Sequence, residues 1–295
     1  MAVLSVGYDL TDMIEGAPPV SVFPEALTRE DLGGATEAID AGLHHSGHAL
    51  VVYPAWLGDE TPRRLQTIRA ALGTARLALH GSSLPPLAGA VLANVAAALG
   101  AHLTRPGQLV AALADLEREL VVVSWLGSLT GLKAPAPSVL LHLASLSPRS
   151  SFAAVLQPEP AIVRADKAAQ GLPLERAAGP MGLVVAPQEG SDPGWLVTAV
   201  TAALGELPTE IVEPTTLGSS WWGTPRLVEA VAYPTDLGDL AEALASRHRL
   251  RLCRWCSEAI ASGPCPFCRS VEEAGHPDTG GDREPVQPPV TDRTR

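Results

Sequence analysis

Lysine is almost missing from this chain. Of its 21 basic residues in 295, 19 are arginine, and the two lysines are Lys133 and Lys167. Neither follows a glycine, so a P-loop, whose lysine leaves the glycine turn directly, has nowhere to form. No two of the 27 glycines stand two positions apart. That removes the Gly-x-Gly step shared by the dinucleotide fingerprint and the kinase glycine loop. Long apolar runs are missing too. The most apolar stretch, Leu84 to Leu99, is interrupted by Pro85, Pro86, Gly89 and Asn94 and falls short of the roughly 18–20 residues needed to cross a bilayer. The first residues carry no basic leader and hold acids at Asp9, Asp12 and Glu15, unlike a signal peptide. A cytoplasmic protein is expected, and in that reducing setting its four cysteines suit metal or redox chemistry better than disulfides.

Charge is abundant in one sign and localised in the other. The formal net charge is −11, which disfavours binding of nucleic acid or anionic membrane by the whole surface. Residues 1–246 carry −12, residues 247–269 carry +4, and residues 271–295 carry −3. Apolar residues make up 46% and charged residues 18%, so most of the chain can bury a core. The abundance of Arg, Ala and Pro beside so little Lys points to a GC-rich bacterial coding sequence.

Short apolar runs alternate with helical patterns. Strands are expected at 2–6, 49–53, 76–79, 120–124, 152–156, 182–186, 210–212 and 227–232, several of them continuous Val/Leu runs suited to burial on both faces. Helices are expected at 29–43, 61–72, 87–99, 108–119, 138–146, 195–204 and 237–245. The predicted fold is α/β, a mainly parallel sheet with helices on both faces, with an irregular hairpin or edge around 157–161, where Pro158 and Pro160 fall. The phrase Leu50-Val51-Val52-Tyr53-Pro54, helix, strand, Gly81-Ser82-Ser83 is echoed by Leu183-Val184-Val185-Ala186-Pro187, helix, strand, Gly218-Ser219-Ser220. The echo reflects either shared composition or two related halves, 1–135 and 150–246, with a ligand cleft between them.

All four cysteines fall within 16 residues as Cys253-x2-Cys256-x8-Cys265-x2-Cys268. Two tight Cys-x-x-Cys turns can supply four thiolates in a tetrahedron. The segment resembles a zinc ribbon, and Cys265-Pro266-Phe267-Cys268 is similar to the knuckle of rubredoxin-like ribbons. The resemblance covers about 20 residues and implies a closed, structural Zn²⁺ site; redox thiols or iron are the alternatives. The same four residues also resemble a glutaredoxin active site, but too little chain follows for the surrounding fold. The expected organisation is an α/β body over 1–246, a zinc ribbon over 247–270 and a disordered acidic tail over 271–295.

Arg247, Arg249, Arg251, Arg254 and Arg269 surround the cysteines with Trp255, and we expect this basic module to bind a protein partner, with nucleic acid as the alternative. His44, His45 and His48 read as a helix-end polar cluster, because the glutamate of a zincin helix is absent. His80, Ser82, Ser83, Ser219 and Asp9 are the candidates for catalysis at strand ends. Asp9, Asp12 and Glu15 read mainly as solvated charges. Trp221-Trp222 suggests one core anchor and one contact residue. The expected function is a non-enzymatic interaction or scaffold protein of a bacterial multiprotein system docking through its ribbon; the alternatives are an α/β hydrolase or transferase, or a ribbon-guided nucleic-acid binder.

Overall fold

The computed structural model describes residues 1–25, 27–147, 150–165, 171–175, 179–261 and 263–271. The tail expected to be disordered lies outside these from residue 272 onward. The strands are β1 (Ala2–Val6), β2 (Ser21–Phe23), β3 (Ala49–Pro54), β4 (Leu77–Ser82), β5 (Val121–Leu126), β6 (Phe152–Gln157), β7 (Ala161–Arg164), β8 (Met181–Pro187), β9 (Thr209–Ile211), β10 (Leu227–Pro234), β11 (Arg251–Leu252) and β12 (Ala259–Ile260). The helices are α1 (Arg29–Ser46), α2 (Glu60–Ala71), α3 (Pro86–Leu99), α4 (Pro106–Glu119), α5 (Val139–Ala144), α6 (Gly194–Leu204), α7 (Gly218–Trp222) and α8 (Leu237–Ser246).

The body is α/β, as the alternation of patterns predicts. Its first sheet is wholly parallel, in the order β2-β1-β3-β4. A second, six-stranded sheet runs β7-β6-β5-β10-β8-β9 and is antiparallel except for the β8/β9 pair. A buried Val/Leu run does not encode strand direction, which is why the second sheet could not be told from the first. The echoed phrases do form equivalent local units. In each, a helix crosses between parallel neighbours, α2 between β3 and β4 and α6 between β8 and β9. They then diverge, since Gly81-Ser82 ends a strand whereas Gly218-Ser219-Ser220 opens α7.

The two sheets face each other across α3. That helix packs on β1 and β3 on one side and on β10 on the other, and all 14 of its residues are buried. A helix between two sheets has no solvent face, so it must be apolar all round. This accounts for the sequence's longest apolar stretch. Pro86 sits in its first turn, where a missing N–H costs no hydrogen bond. The outer faces are covered by α1 and α2 on the first sheet and by α6 on the second. Along β10 the side chains alternate as a pleated strand requires. Leu227 and Val231 join the central core, while Val228, Ala230 and Ala232 join the outer one.

Helix α1 shows how local chemistry sets the boundaries. Thr28 and Asp31 form a reciprocal capping box at its start, and Gly47, in the left-handed region, closes its end with an N–H donated to the Leu43 carbonyl.

Candidate functional site

Chain order and spatial order in the first sheet reverse between β1 and β3, so the loops leaving their carboxyl ends open a crevice. Such switch points are the usual ligand sites of open α/β sheets. The loop after β1 is shaped by Tyr8, which is buried and stacks directly on Gly89 of α3, where a methyl group would fall inside its ring. Its hydroxyl donates to the Ser82 carbonyl at 3.4 Å, and burial pushes the phenol pKa well above its ordinary value. Asn94 of α3 donates to the Leu10 carbonyl at 3.2 Å, pinning the next part of the loop.

The carboxyl ends of the β8/β9 pair close the crevice from the other lobe. Leu10, Thr11 and Met13 line one wall, and Pro187 with Glu210, Ile211, Val212, Glu213 and Pro214 lines the other, around a volume of about 530 Å³. Asp9 ties the walls together, its carboxylate accepting the Thr216 N–H at 2.8 Å and the Thr216 hydroxyl.

Beneath lies a carboxylate that sequence reasoning missed. Glu229 of β10 is buried and faces α3. It accepts from Trp222 Nε1 at 3.0 Å, from the Leu87 N–H in the first turn of α3 at 3.4 Å, and from the Thr215 hydroxyl. Burial raises its pKa; the three hydrogen bonds oppose that shift and the Asp9 charge adds to it. The signal was available, because a lone acid in Leu-Val-Glu-Ala-Val-Ala-Tyr sits at an inward position of an apolar strand.

The sequence-nominated residues are dispersed. His80 Nε2 lies 2.9 Å from the Glu117 carboxylate. Ser82 is buried and its Oγ accepts the Leu84 N–H, whereas Ser83 is exposed. Ser219 lies in α7. Trp222 is buried and Trp221 packs edge-on against it at 4.5 Å. His44 contacts Asp40 at 3.5 Å on the last turns of α1. Among the described residues, the four cysteines form the one group of three or more such side chains placed to share an ion.

Those cysteines build two matching knuckles on the β11/β12 hairpin. In each, the residue four after the first cysteine returns its N–H to that cysteine's carbonyl, Ser257 to Cys253 and Arg269 to Cys265. Both returning residues hold left-handed backbones, with φ of 59° and 61°. Cys253 and Cys268 sulfurs lie 3.7 Å apart and Cys256 and Cys265 sulfurs 3.6 Å, with all four within 4.8 Å of one another. Four sulfurs at about 2.3 Å from one ion would stand about 3.8 Å apart, so the set can hold a metal. The Ser270 hydroxyl draws the Cys253 thiol down to about 6, while burial pushes Cys256 and Cys265 up.

The hairpin is docked on its own body. Phe267, Ile260, Cys253 and Cys265 are buried in the same cluster as α3 and α4. Arg69 of α2 donates to the Phe267 carbonyl at 2.7 Å, and His48 meets the Glu258 carboxylate at 2.8 Å while facing the Phe267 ring edge-on. Gly107 of α4 lies against the Ala259 carbonyl, leaving no room for a side chain. Arg247 pairs with Glu119, and His248 with Asp115, at 2.8 Å each.

No family model matches the sequence, and no curated protein matches it. The fold does have solved counterparts. A DegV family protein from Thermus thermophilus, described for its fatty acid binding, aligns with a TM-score of 0.56 at 15% identity, over 79% of this chain and 99% of its own. A stearic-acid-binding protein from Eubacterium ventriosum aligns at 0.55 and 10% identity, over 79% and 98%. A DegV family protein from Corynebacterium glutamicum aligns at 0.52 and 12%, over 80% and 97%. The chain therefore has the DegV fold, and about a fifth of it has no equivalent there.

These findings correct the expected function. The counterparts described by ligand are fatty-acid binders, which overturns the scaffold docking through its ribbon and the nucleic-acid alternative. The expected protein or nucleic-acid partner falls with them. The physical reason is visible at the ribbon. Its buried side chains and Arg247 are engaged by the chain's own α2 and α4, and Arg251 and Arg254 are also partnered. Trp255 stays 78% exposed. No helix among the described residues is long and apolar enough to cross a membrane.

Proposed function

We propose that the body binds the hydrocarbon chain of a fatty-acid-like amphiphile in the crevice between its two sheets. The observation that carries this is a partly apolar cleft of about 530 Å³ at the carboxyl ends of strands from both sheets. That volume lies within the range of about 300–1,000 Å³ usual for small-molecule sites. Leu10, Met13, Pro187, Ile211, Val212 and Pro214 supply the apolar lining, and counterparts of this fold described as fatty-acid binders support the ligand class. The function is carriage or presentation of the ligand without chemistry, in a reducing cytoplasm.

The tetrathiolate holds Zn²⁺ in this reading. Its spacing suits a closed four-sulfur site with no position for water, so the ion would be structural, fixing the hairpin that Phe267 and Glu258 fasten to α2, α4 and His48.

Ile211 is 61% exposed on the cleft wall, so Ile211→Trp fills the cleft without disturbing a core. A fluorescent long-chain probe should bind wild type with one-to-one stoichiometry, and Ile211→Trp should lose that binding while melting at the same temperature. Equal probe binding by both proteins would refute the assignment of the cleft.

A further inference from the structure

The two segments that form the crevice share an unusual feature. Residues 1–28 contain Asp9, Asp12, Glu15 and Glu25 and not one Lys, Arg or His. Residues 177–225 contain Glu189, Asp192, Glu206, Glu210 and Glu213, again without a basic residue. Together they place nine acids and no base in 77 residues of a chain that elsewhere carries 21 arginines and lysines. Glu210 and Glu213 line the cleft itself, both exposed, and Asp9 stands beside it. Glu229 lies beneath the same junction and already accepts the Leu87 N–H in the first turn of α3, so that helix terminus already faces a carboxylate.

A fatty-acid anion entering this crevice would have its apolar chain accommodated and its carboxylate opposed. Among the described residues, no cationic side chain lines the cleft to neutralise it. We propose that the crevice selects an amphiphile with a positively charged head group, a long-chain amine in its simplest form, over the free fatty-acid anion. The chain rests against Leu10, Met13, Ile211 and Val212, and the ammonium sits at the mouth between Glu210 and Glu213. This rests on the acyl-chain reading above and adds the head group to it.

The test compares three twelve-carbon probes that differ only in the head, dodecylamine, dodecanol and laurate, each titrated calorimetrically below its aggregation concentration at neutral pH. Two or three carboxylates at contact range in a wet cleft should favour the amine over laurate by about tenfold or more, with dodecanol between them. Added salt should shrink that ratio, and so should the exposed-site double variant Glu210→Gln/Glu213→Gln. Ile211→Trp should abolish amine binding, which separates cleft binding from general attraction to an acidic protein. Laurate binding as tightly as the amine, a ratio unchanged in the double variant, or amine binding retained in Ile211→Trp would overturn the head-group inference while leaving the acyl chain open. Failure of all three probes to bind would overturn the acyl-chain reading as well.

Discussion

The lobes of this molecule meet its remaining parts at two junctions that are built in opposite ways. Where the cysteine hairpin meets the body, a segment of charge +4 lies on a body of charge −12. Opposite charges pair there between Arg247 and Glu119, the His248 ring meets the Asp115 carboxylate, and Phe267 and Ile260 are buried behind them. Where the loop after β1 meets the ends of β8 and β9, both segments are acidic. Asp9 bonds the Thr216 N–H and hydroxyl, and a cleft remains open. Complementary charge closes one junction, and matched charge leaves the other available to a ligand.

The largest effect should come from breaking the closed junction at its four cysteines. Cys265→Ser, or chelation of the wild type, should abolish stoichiometric zinc and forfeit part of the roughly 10–16 kcal/mol that zinc supplies to thiolate peptides. Because Cys265 and Phe267 share a buried cluster with α4, hydrogen exchange should rise in α4 as well as in the hairpin. Exchange rising in the hairpin alone would show that the junction is superficial.

Glu229→Ala comes next. It strands the Trp222, Leu87 and Thr215 donors and opens a cavity beneath the crevice, which should cost about 3–5 kcal/mol in urea unfolding. Gly107→Ala, which drives a methyl group into the Ala259 carbonyl, should cost about 1–3 kcal/mol and accelerate zinc loss to a chelator.

The smallest effect is the most diagnostic of burial. Glu229 binds its proton more tightly in the folded chain than at its ordinary value of 4.5, so its contribution to stability is greatest below that pH. It falls as pH rises toward the folded-state value, by up to about 1.4 kcal/mol per pH unit. Glu229→Gln keeps an acceptor for Trp222 and Leu87 and cannot ionise. Its stability should approach or exceed wild type as pH rises above 4.5, and a difference that does not change with pH would count against a buried ionisable group.

Much of the fold was legible in the sequence because it rests on local pattern. The strand at 2–6 and the helix at 87–99 are read from apolar periodicity, and the four-sulfur site from spacing alone. The antiparallel second sheet was not, because β5, β6, β8 and β10 look like parallel strands when both faces are covered. Ser21–Phe23 is too short to register, and Gly218–Trp222 reads as a loop until Trp222 is seen buried against Glu229. The crevice was illegible for a different reason. Its walls come from Leu10 to Met13 and from Ile211 to Pro214, some 200 residues apart, and each wall alone is an ordinary acidic loop.

The most direct measurement is native mass spectrometry of the intact chain after incubation with a long-chain amphiphile. The account predicts one zinc and one acyl-chain ligand per polypeptide, with the ligand lost in Ile211→Trp and the zinc retained. A chain that carries zinc but takes up no amphiphile, or takes it up equally in both proteins, would contradict it.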